Sequence, residues 1–150
     1  MANYVYTKGK QLIARLDVEA PNTLEALLVS NSYVFSSNHN FVANLVDGLA
    51  ASCEISVANY SRQTLTGVSV VEVDTGDPLT NYAYISASNL LFATLGAGQT
   101  VGGVVVAQKT GNNETASLLT YYDIAHTPTN GGDIAINWAS SVNGGVLKLS

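Results

Sequence analysis

The chain has 150 residues, 47% hydrophobic and only 11% charged, with 6 Lys and Arg against 11 Asp and Glu for a net charge of −5. An ordinary soluble domain is about one quarter charged; here Ser, Thr, Asn, Gly and Tyr fill the difference, which suits a surface buried against other protein. Six scattered basic residues argue against a nucleic-acid face, whose affinity comes mostly from clustered Lys and Arg, and the length fits one domain over residues 1–150 with one core.

Residues 4–16 place Val5, Leu12, Ile13 and Leu16 near helical spacing, with Lys8, Lys10, Gln11 and Arg15 filling the other face. This predicts a short amphipathic N-terminal helix, weakened by Gly9. Ala26-Leu27-Leu28-Val29, followed by Ser30-Asn31-Ser32, reads as a buried strand running into a loop. A brief helical turn is expected over 41–46, closed by Asp47-Gly48 with the glycine as a left-handed cap.

From about residue 50 the period becomes two. Residues 65–73 form a strand by their β-branched content, and Asp74-Thr75-Gly76-Asp77-Pro78 stops it with turn chemistry. Residues 82–85 and 90–93 follow as short strands. Gly96-Ala97-Gly98 turns the chain into 101–108, and Thr110-Gly111-Asn112-Asn113 turns it back into 117–124, which predicts an antiparallel hairpin. Residues 133–138 alternate, placing Ile134, Ile136 and Trp138 on one face and Asp133 and Asn137 on the other. Residues 146–149 give a final strand. About eight short strands at this spacing predict a mainly β protein, an antiparallel sandwich or barrel with a short N-terminal helix.

The fragments that resemble active sites have simpler readings. Asp74-Thr75-Gly76 matches the triplet of aspartic proteases, but those enzymes pair two such carboxylates and this chain has one copy, so only a homodimer could build the site. Asp74 and Asp77 lack the spaced series of oxygen ligands that calcium demands. His39 and His126 have no Cys, His or Glu neighbour at metal-ligand spacing and read as solvated loop residues. The loop Gly96-Ala97-Gly98-Gln99-Thr100-Val101-Gly102 leads into a strand and offers no helix N-terminus to a phosphate. Asn59-Tyr60-Ser61 and Asn113-Glu114-Thr115 fit the glycosylation pattern, but Met1-Ala2-Asn3-Tyr4 begins without a secretory signal. The single Cys53 reads as a small buried thiol, and the longest apolar runs, such as Val104-Val105-Val106-Ala107, fall far short of a membrane helix. No catalytic residue, cofactor or metal is expected. Synthesis in a cytoplasm as a soluble protein is.

Eight tyrosines are the stronger signal. Tyrosine combines a large contact area with a hydrogen-bonding tip and is enriched at protein interfaces. Tyr121 and Tyr122 are adjacent on a strand, so they point to opposite faces, and one of them is expected to face outward.

Tyr6-Thr7-Lys8-Gly9-Lys10 with Ala14-Arg15 opens a series of segments along the chain. It continues through Ala26-Leu27-Leu28-Val29, Tyr33-Val34-Phe35, His39-Asn40-Phe41-Val42, Tyr60-Ser61-Arg62-Gln63-Thr64-Leu65-Thr66-Gly67-Val68, Gly103-Val104-Val105-Val106, residues 118–122 and residues 128–138. In this order, over nearly the whole chain, the series resembles a family of small virion proteins encoded among the structural genes of tailed bacteriophages. The chain departs from that pattern where Leu16 follows Arg15 and in the turn Gln108-Lys109-Thr110-Gly111.

The resemblance implies a virion structural part on the capsid exterior, a decoration or cement protein on the outer face of the major capsid lattice. By binding only the assembled lattice it would stabilise the shell through mass action and avidity. It further implies a homo-oligomer, with a trimer expected from seating at local three-fold axes, and neither nucleic acid nor membrane as partner. Tyr4, Tyr6 and Tyr121 are the candidate interface residues, with the segment around Tyr4 and Tyr6 as a clasp. The rival reading is a tail or baseplate component acting as a small receptor- or glycan-binding module; a core-facing Trp138 counts against it.

Overall fold

The computed structural model describes residues 2–7, 23–47, 52–79, 81–138 and 145–149. In chain order these form β1 (Ala2–Val5), β2 (Leu24–Ser30), α1 (Ala43–Val46), β3 (Gln63–Thr64), β4 (Ser69–Val73), β5 (Tyr82–Ser86), β6 (Leu90–Phe92), β7 (Thr100–Gln108), β8 (Leu118–Pro128), β9 (Ile134–Ile136) and β10 (Leu147–Leu149). All strand pairings are antiparallel, in a five-stranded sheet β1-β8-β7-β2-β3, a three-stranded sheet β10-β5-β4 and a two-stranded sheet β6-β9. The protein is mainly β and sandwich-like, as its period-two patterning predicts.

β2 and β7 are apolar on consecutive residues, which is stable only when both faces of a strand are covered. Alternation divides their side chains between two cores. Leu24, Ala26 and Leu28 of β2, Val104 and Val106 of β7 and Tyr122 of β8 enter a main core with Ile85, Phe92, Ile134, Ile136, Trp138 and Leu147 from the other two sheets. Leu27 and Val29, Val105 and Ala107, and Tyr121 enter a second core on the opposite face, closed by Tyr6, Tyr33, Val42, Leu45 and Cys53. The cover of the second core is stitched on by backbone bonds: Val42 N–H donates to Ala116 O at 2.9 Å, Leu118 N–H to Asn40 O at 2.9 Å, and Cys53 N–H to Leu45 O at 2.9 Å.

The hairpin β7–β8, the strand in 26–29 and the 133–138 alternation stand as the sequence predicts, with Ile134, Ile136 and Trp138 all buried. Trp138 Nε1–H donates to Ser88 O at 3.0 Å, so its polar tip is satisfied inside. The helical turn in 41–46 is α1, while its expected glycine cap lies outside the described residues.

Four expectations change. The one core expected from length is two, because the five-stranded sheet is covered on both faces. Residues 2–5 are a strand rather than the start of a helix: the alternation Tyr4-Val5-Tyr6 fits the open edge of β8, sending Tyr6 into the second core and Val5 against the main one. The remainder of that predicted helix, residues 8–16, lies outside the described residues. The predicted strand 65–73 is shortened to β4 because Gly67, at φ +63°, turns the chain from one sheet into the next, a conformation that glycine adopts without strain. Tyr121 and Tyr122 do face opposite sides, yet both are buried, because the sheet between them has a core on each face.

Gly103 of β7 lies beneath the Tyr121 ring. A Cβ at this position would sit 2.7 Å from Tyr122 O and inside the contact distance of that ring. Gly103→Ala is therefore expected to cost about 1–3 kcal/mol by overpacking, read as a lower urea midpoint with an unchanged slope; an unchanged midpoint would show that the ring moves aside freely.

Candidate functional site

The aromatic residues of the second core form one connected group. Tyr4 stacks on Phe35 with centroids 4.9 Å apart, Phe35 lies 6.0 Å from Tyr121 at an interplanar angle of 13°, and Tyr6 lies 5.0 Å from Phe35. Tyr33 meets the Tyr121 ring edge-on at 5.2 Å. Such pairs contribute about 0.5–1.5 kcal/mol each beyond area burial, so the group is a stiff bed rather than a set of loose side chains.

Strand β1 supplies Tyr4, Tyr6 follows directly after it, β8 supplies Tyr121, and the loop after β2 supplies Tyr33 and Phe35. Of the three tyrosines singled out from sequence, Tyr6 is fully enclosed, Tyr121 is buried and Tyr4 is 41% exposed. They are brought together, but only Tyr4 presents a substantial surface. Val34, between the inward Tyr33 and Phe35, is 79% exposed in the same loop. From sequence, Tyr33-Val34-Phe35 enters only as one segment of the resemblance and not as part of the candidate interface. Their in-out-in alternation is the signal that could have found them.

A hydrogen-bond chain runs beneath this bed. Tyr6 Oη and Tyr33 Oη are 2.9 Å apart, and Tyr33 Oη lies 3.1 Å from His39 Nδ1. Either tyrosine hydroxyl can donate to the other, and a neutral His39 with Nδ1 unprotonated can accept the Tyr33 proton. Burial raises both hydroxyl pKa values and lowers that of His39. His39 is thus a packed partner rather than a solvated loop residue. Tyr121 is pushed up to about 12 by burial and by the nearby Asp123 carboxylate.

A second polar node lies beside β2 and β3. Arg62 grips Glu54 with two bonds, Nε to Oε1 at 2.8 Å and Nη2 to Oε2 at 2.6 Å, while Nη1 reaches Glu25 Oε1 at 3.2 Å and Asn113 Oδ1 at 2.9 Å. Tyr60 Oη donates to Glu54 Oε1 at 2.8 Å and accepts the Leu28 backbone N–H at 3.1 Å. The node fastens segment 52–62 and the β7–β8 hairpin tip to β2. Its side chains are bonded to one another, which suits a structural clamp rather than a ligand site.

The other fragments keep structural roles. Asp74 Oδ1 accepts from Gly76 N–H at 2.8 Å and Asp77 Oδ1 from Leu79 N–H at 3.0 Å, so both carboxylates hold the turn. His126 is exposed on β8, a strand position rather than the expected loop. Cys53 is buried, and burial raises its thiol pKa, which makes it a poor nucleophile. Gln99, in the glycine-rich loop, accepts Ser56 N–H at 2.7 Å. Among the described residues no group of three or more His, Cys, Asp or Glu is arranged to hold a metal ion, and no helix is long and apolar enough to cross a membrane. Comparison with protein-family models, with curated proteins and with solved structures finds no match.

Two outcomes follow. Burial holds the His39 pKa below the ordinary imidazole value of 6.5, so neutral His39 favours the folded state; its contribution is full above about pH 6.5 and is lost as the pH falls from there through the lower folded value. His39→Gln is expected to remove this component, so the stability difference between wild type and variant stays flat above pH 7 and shifts against the wild type below 6.5 in urea titrations across pH. Arg62→Ala strands two carboxylates whose side chains are only 12% exposed, and is expected to cost about 1–3 kcal/mol, with Arg62→Lys intermediate because it keeps the charge but loses the fork. Equal stabilities for Arg62→Ala and wild type would overturn the clamp.

Proposed function

We propose that this protein is a structural component of a tailed-bacteriophage virion that binds the outer face of the assembled major capsid lattice and stabilises it. The observation that carries this reading is the exposed pair Tyr4 and Val34 on a rigid aromatic bed, in a chain with only 11% charged residues. Val34 is the exposed apolar tip of the loop and Tyr4 the amphipathic ring stacked on the adjoining Phe35; tyrosine in particular anchors protein interfaces.

Several properties support docking over catalysis. The ring bed loses little side-chain freedom on contact, because its members are already held by stacking and hydrogen bonds. An acidic body is repelled by packaged DNA and tolerated outside the shell. The sequence resemblance to small virion structural proteins points the same way. Binding confined to the assembled lattice shifts the equilibrium toward intact shell, and copies that bridge several capsid subunits multiply the effect. A homotrimer at local three-fold positions is the arrangement the resemblance suggests, with the capsid exterior as its location.

Cryo-electron-microscopy reconstruction of virions from the phage that encodes this chain is the direct test. The expected result is density of this fold repeated over the capsid exterior; density confined to the tail or baseplate would replace the reading with a receptor- or glycan-binding module. In co-sedimentation with capsids, Val34→Asp is expected to weaken binding by about tenfold or more while leaving thermal stability within about 0.5 kcal/mol of wild type. Undiminished binding would remove this loop from the contact.

A further inference from the structure

The loop between β2 and α1 carries Val34 and is tied at its two ends to other strands. Asn31 N–H donates to Thr100 O at 3.0 Å, and Asn40 O accepts Leu118 N–H at 2.9 Å. Between these ties the backbone bonds are local: Tyr33 N–H to Ser30 O and His39 N–H to Ser36 O, both at 3.1 Å. Side chains therefore fix the interior of the loop. Tyr33 and Phe35 set their rings against Tyr121, and the Tyr33 hydroxyl lies 2.9 Å from the Tyr6 hydroxyl and 3.1 Å from His39 Nδ1. The bond from Tyr33 to His39 closes the loop on itself across the segment that begins with Val34.

This closure depends on where the imidazole carries its protons. With Nδ1 unprotonated, Tyr6 gives its proton to Tyr33 and Tyr33 gives its own to His39, so both hydroxyl protons have acceptors. With a proton on Nδ1, that nitrogen can only donate. If the ring stays in place, three protons share two hydroxyl oxygens, and one hydroxyl proton has no acceptor among the described residues, where Tyr6 is 0% and Tyr33 7% exposed. A buried donor without a partner bears its full desolvation cost. If the ring swings away, the closure is lost.

The surroundings offer an imidazolium no compensation. The titratable groups gathered on Tyr33 are Tyr6, Tyr121 and Cys53, all neutral near pH 6. Among the described residues the ion pairs are those of Arg62 with Glu25 and Glu54, so neither Asp47 after α1 nor Asp123 of β8 pairs with His39. Burial lowers the His39 pKa, which puts the transition below pH 6.5.

We propose that His39 is a proton-operated latch on this loop: neutral, it holds Tyr33 and with it Val34 in a fixed position, and protonated, it releases them. A released loop must be ordered again on contact, so the face that Val34 presents loses affinity in acid. The release stands on the hydrogen bonds alone; the loss of affinity rests on the docking face proposed above.

Amide hydrogen exchange of the 15N-labelled protein between about pH 7.5 and about pH 5, corrected for intrinsic rates, tests the latch, with the His39 ring titrated by NMR in the same samples. Protection of the Tyr33 and His39 amides relative to amides of β2 and β7 is expected to fall by about tenfold or more as His39 takes up its proton. His39→Gln keeps an acceptor oxygen, does not titrate in this range, and is expected to show no such fall. The proposal is overturned if the wild-type loop keeps its relative protection while His39 titrates, a result that needs no variant to fold, or if His39→Gln shows the same fall. In co-sedimentation with capsids, the wild type is expected to weaken by about tenfold relative to His39→Gln over the same range. A loop that opens with His39 protonation in a protein that binds no capsid at either pH overturns the docking reading and leaves the latch; a loop that stays closed in a protein that still binds overturns the latch and leaves the docking reading.

Discussion

Burial of β2, β7 and residues 118–122 of β8 on both faces is the constraint from which the architecture follows. A sheet with a core on each side can expose neither face, so one side must be roofed by further strands and the other by whatever chain remains. The three- and two-stranded sheets form the first roof, and the loop after β2 with α1 and the segment around Cys53 forms the second. Strand irregularities keep the assignment consistent. Where β2 advances from Val29 to Ser30, β7 steps from Gly103 to Val101, and the additional residue sends Val101 and Val104, three apart, into the same core. Without that step, Val101 would be delivered to the opposite face.

Sparse charge shapes how the loops are held. With few ion pairs to use, turns are fixed by short polar side chains on nearby backbone groups: Asn44 Oδ1 accepts the N–H groups of both Asn40 and Phe41 at 2.9 Å, and Thr110 and Thr115 share a hydroxyl contact of 2.9 Å in the hairpin tip. Arg62 is the exception. It concentrates a fork of charge-assisted bonds at one place, where segment 52–62, the edge of β2 and the hairpin tip converge. Among the described residues no buried side-chain nitrogen or oxygen lacks a partner, which is the condition for polar groups this numerous to be compatible with a stable fold.

The strands that alternate or run continuously apolar are legible in the sequence, because burial on one face or on two leaves a direct imprint on residue order. The β7–β8 hairpin and the Ile134-Ile136-Trp138 face belong to this group. The roof of the second core is not legible in that way. Tyr33, Phe35, Val42 and Leu45 are spaced by what they must cover rather than by a helical or strand period. Hydrophobic residues four and seven apart suggested a helix near the start of the chain, whereas the local alternation of Tyr4, Val5 and Tyr6 decided the conformation of residues 2–5. The Arg62 node joins positions 25, 54, 62 and 113, and no linear pattern announces a contact among residues so far apart. Of the candidate interface, sequence identified Tyr4 and the two tyrosines beneath it, but not the exposed Val34.

The chain's single tryptophan lies in only one of its two cores. Trp138 packs against Tyr122, with ring centroids 5.5 Å apart, in the main core, while the second core contains Tyr6, Tyr33 and Tyr121 and no indole. The molecule therefore carries a built-in optical division. Indole emission follows the contact between the sheets alone, whereas near-ultraviolet tyrosine absorbance and dichroism also include Tyr6, Tyr33 and Tyr121 beneath the roof loop, beside Tyr122 of the main core. If the roof lifts before the sheets part, the two wavelengths separate in time or in denaturant, and the order of events along the unfolding path becomes visible without any label.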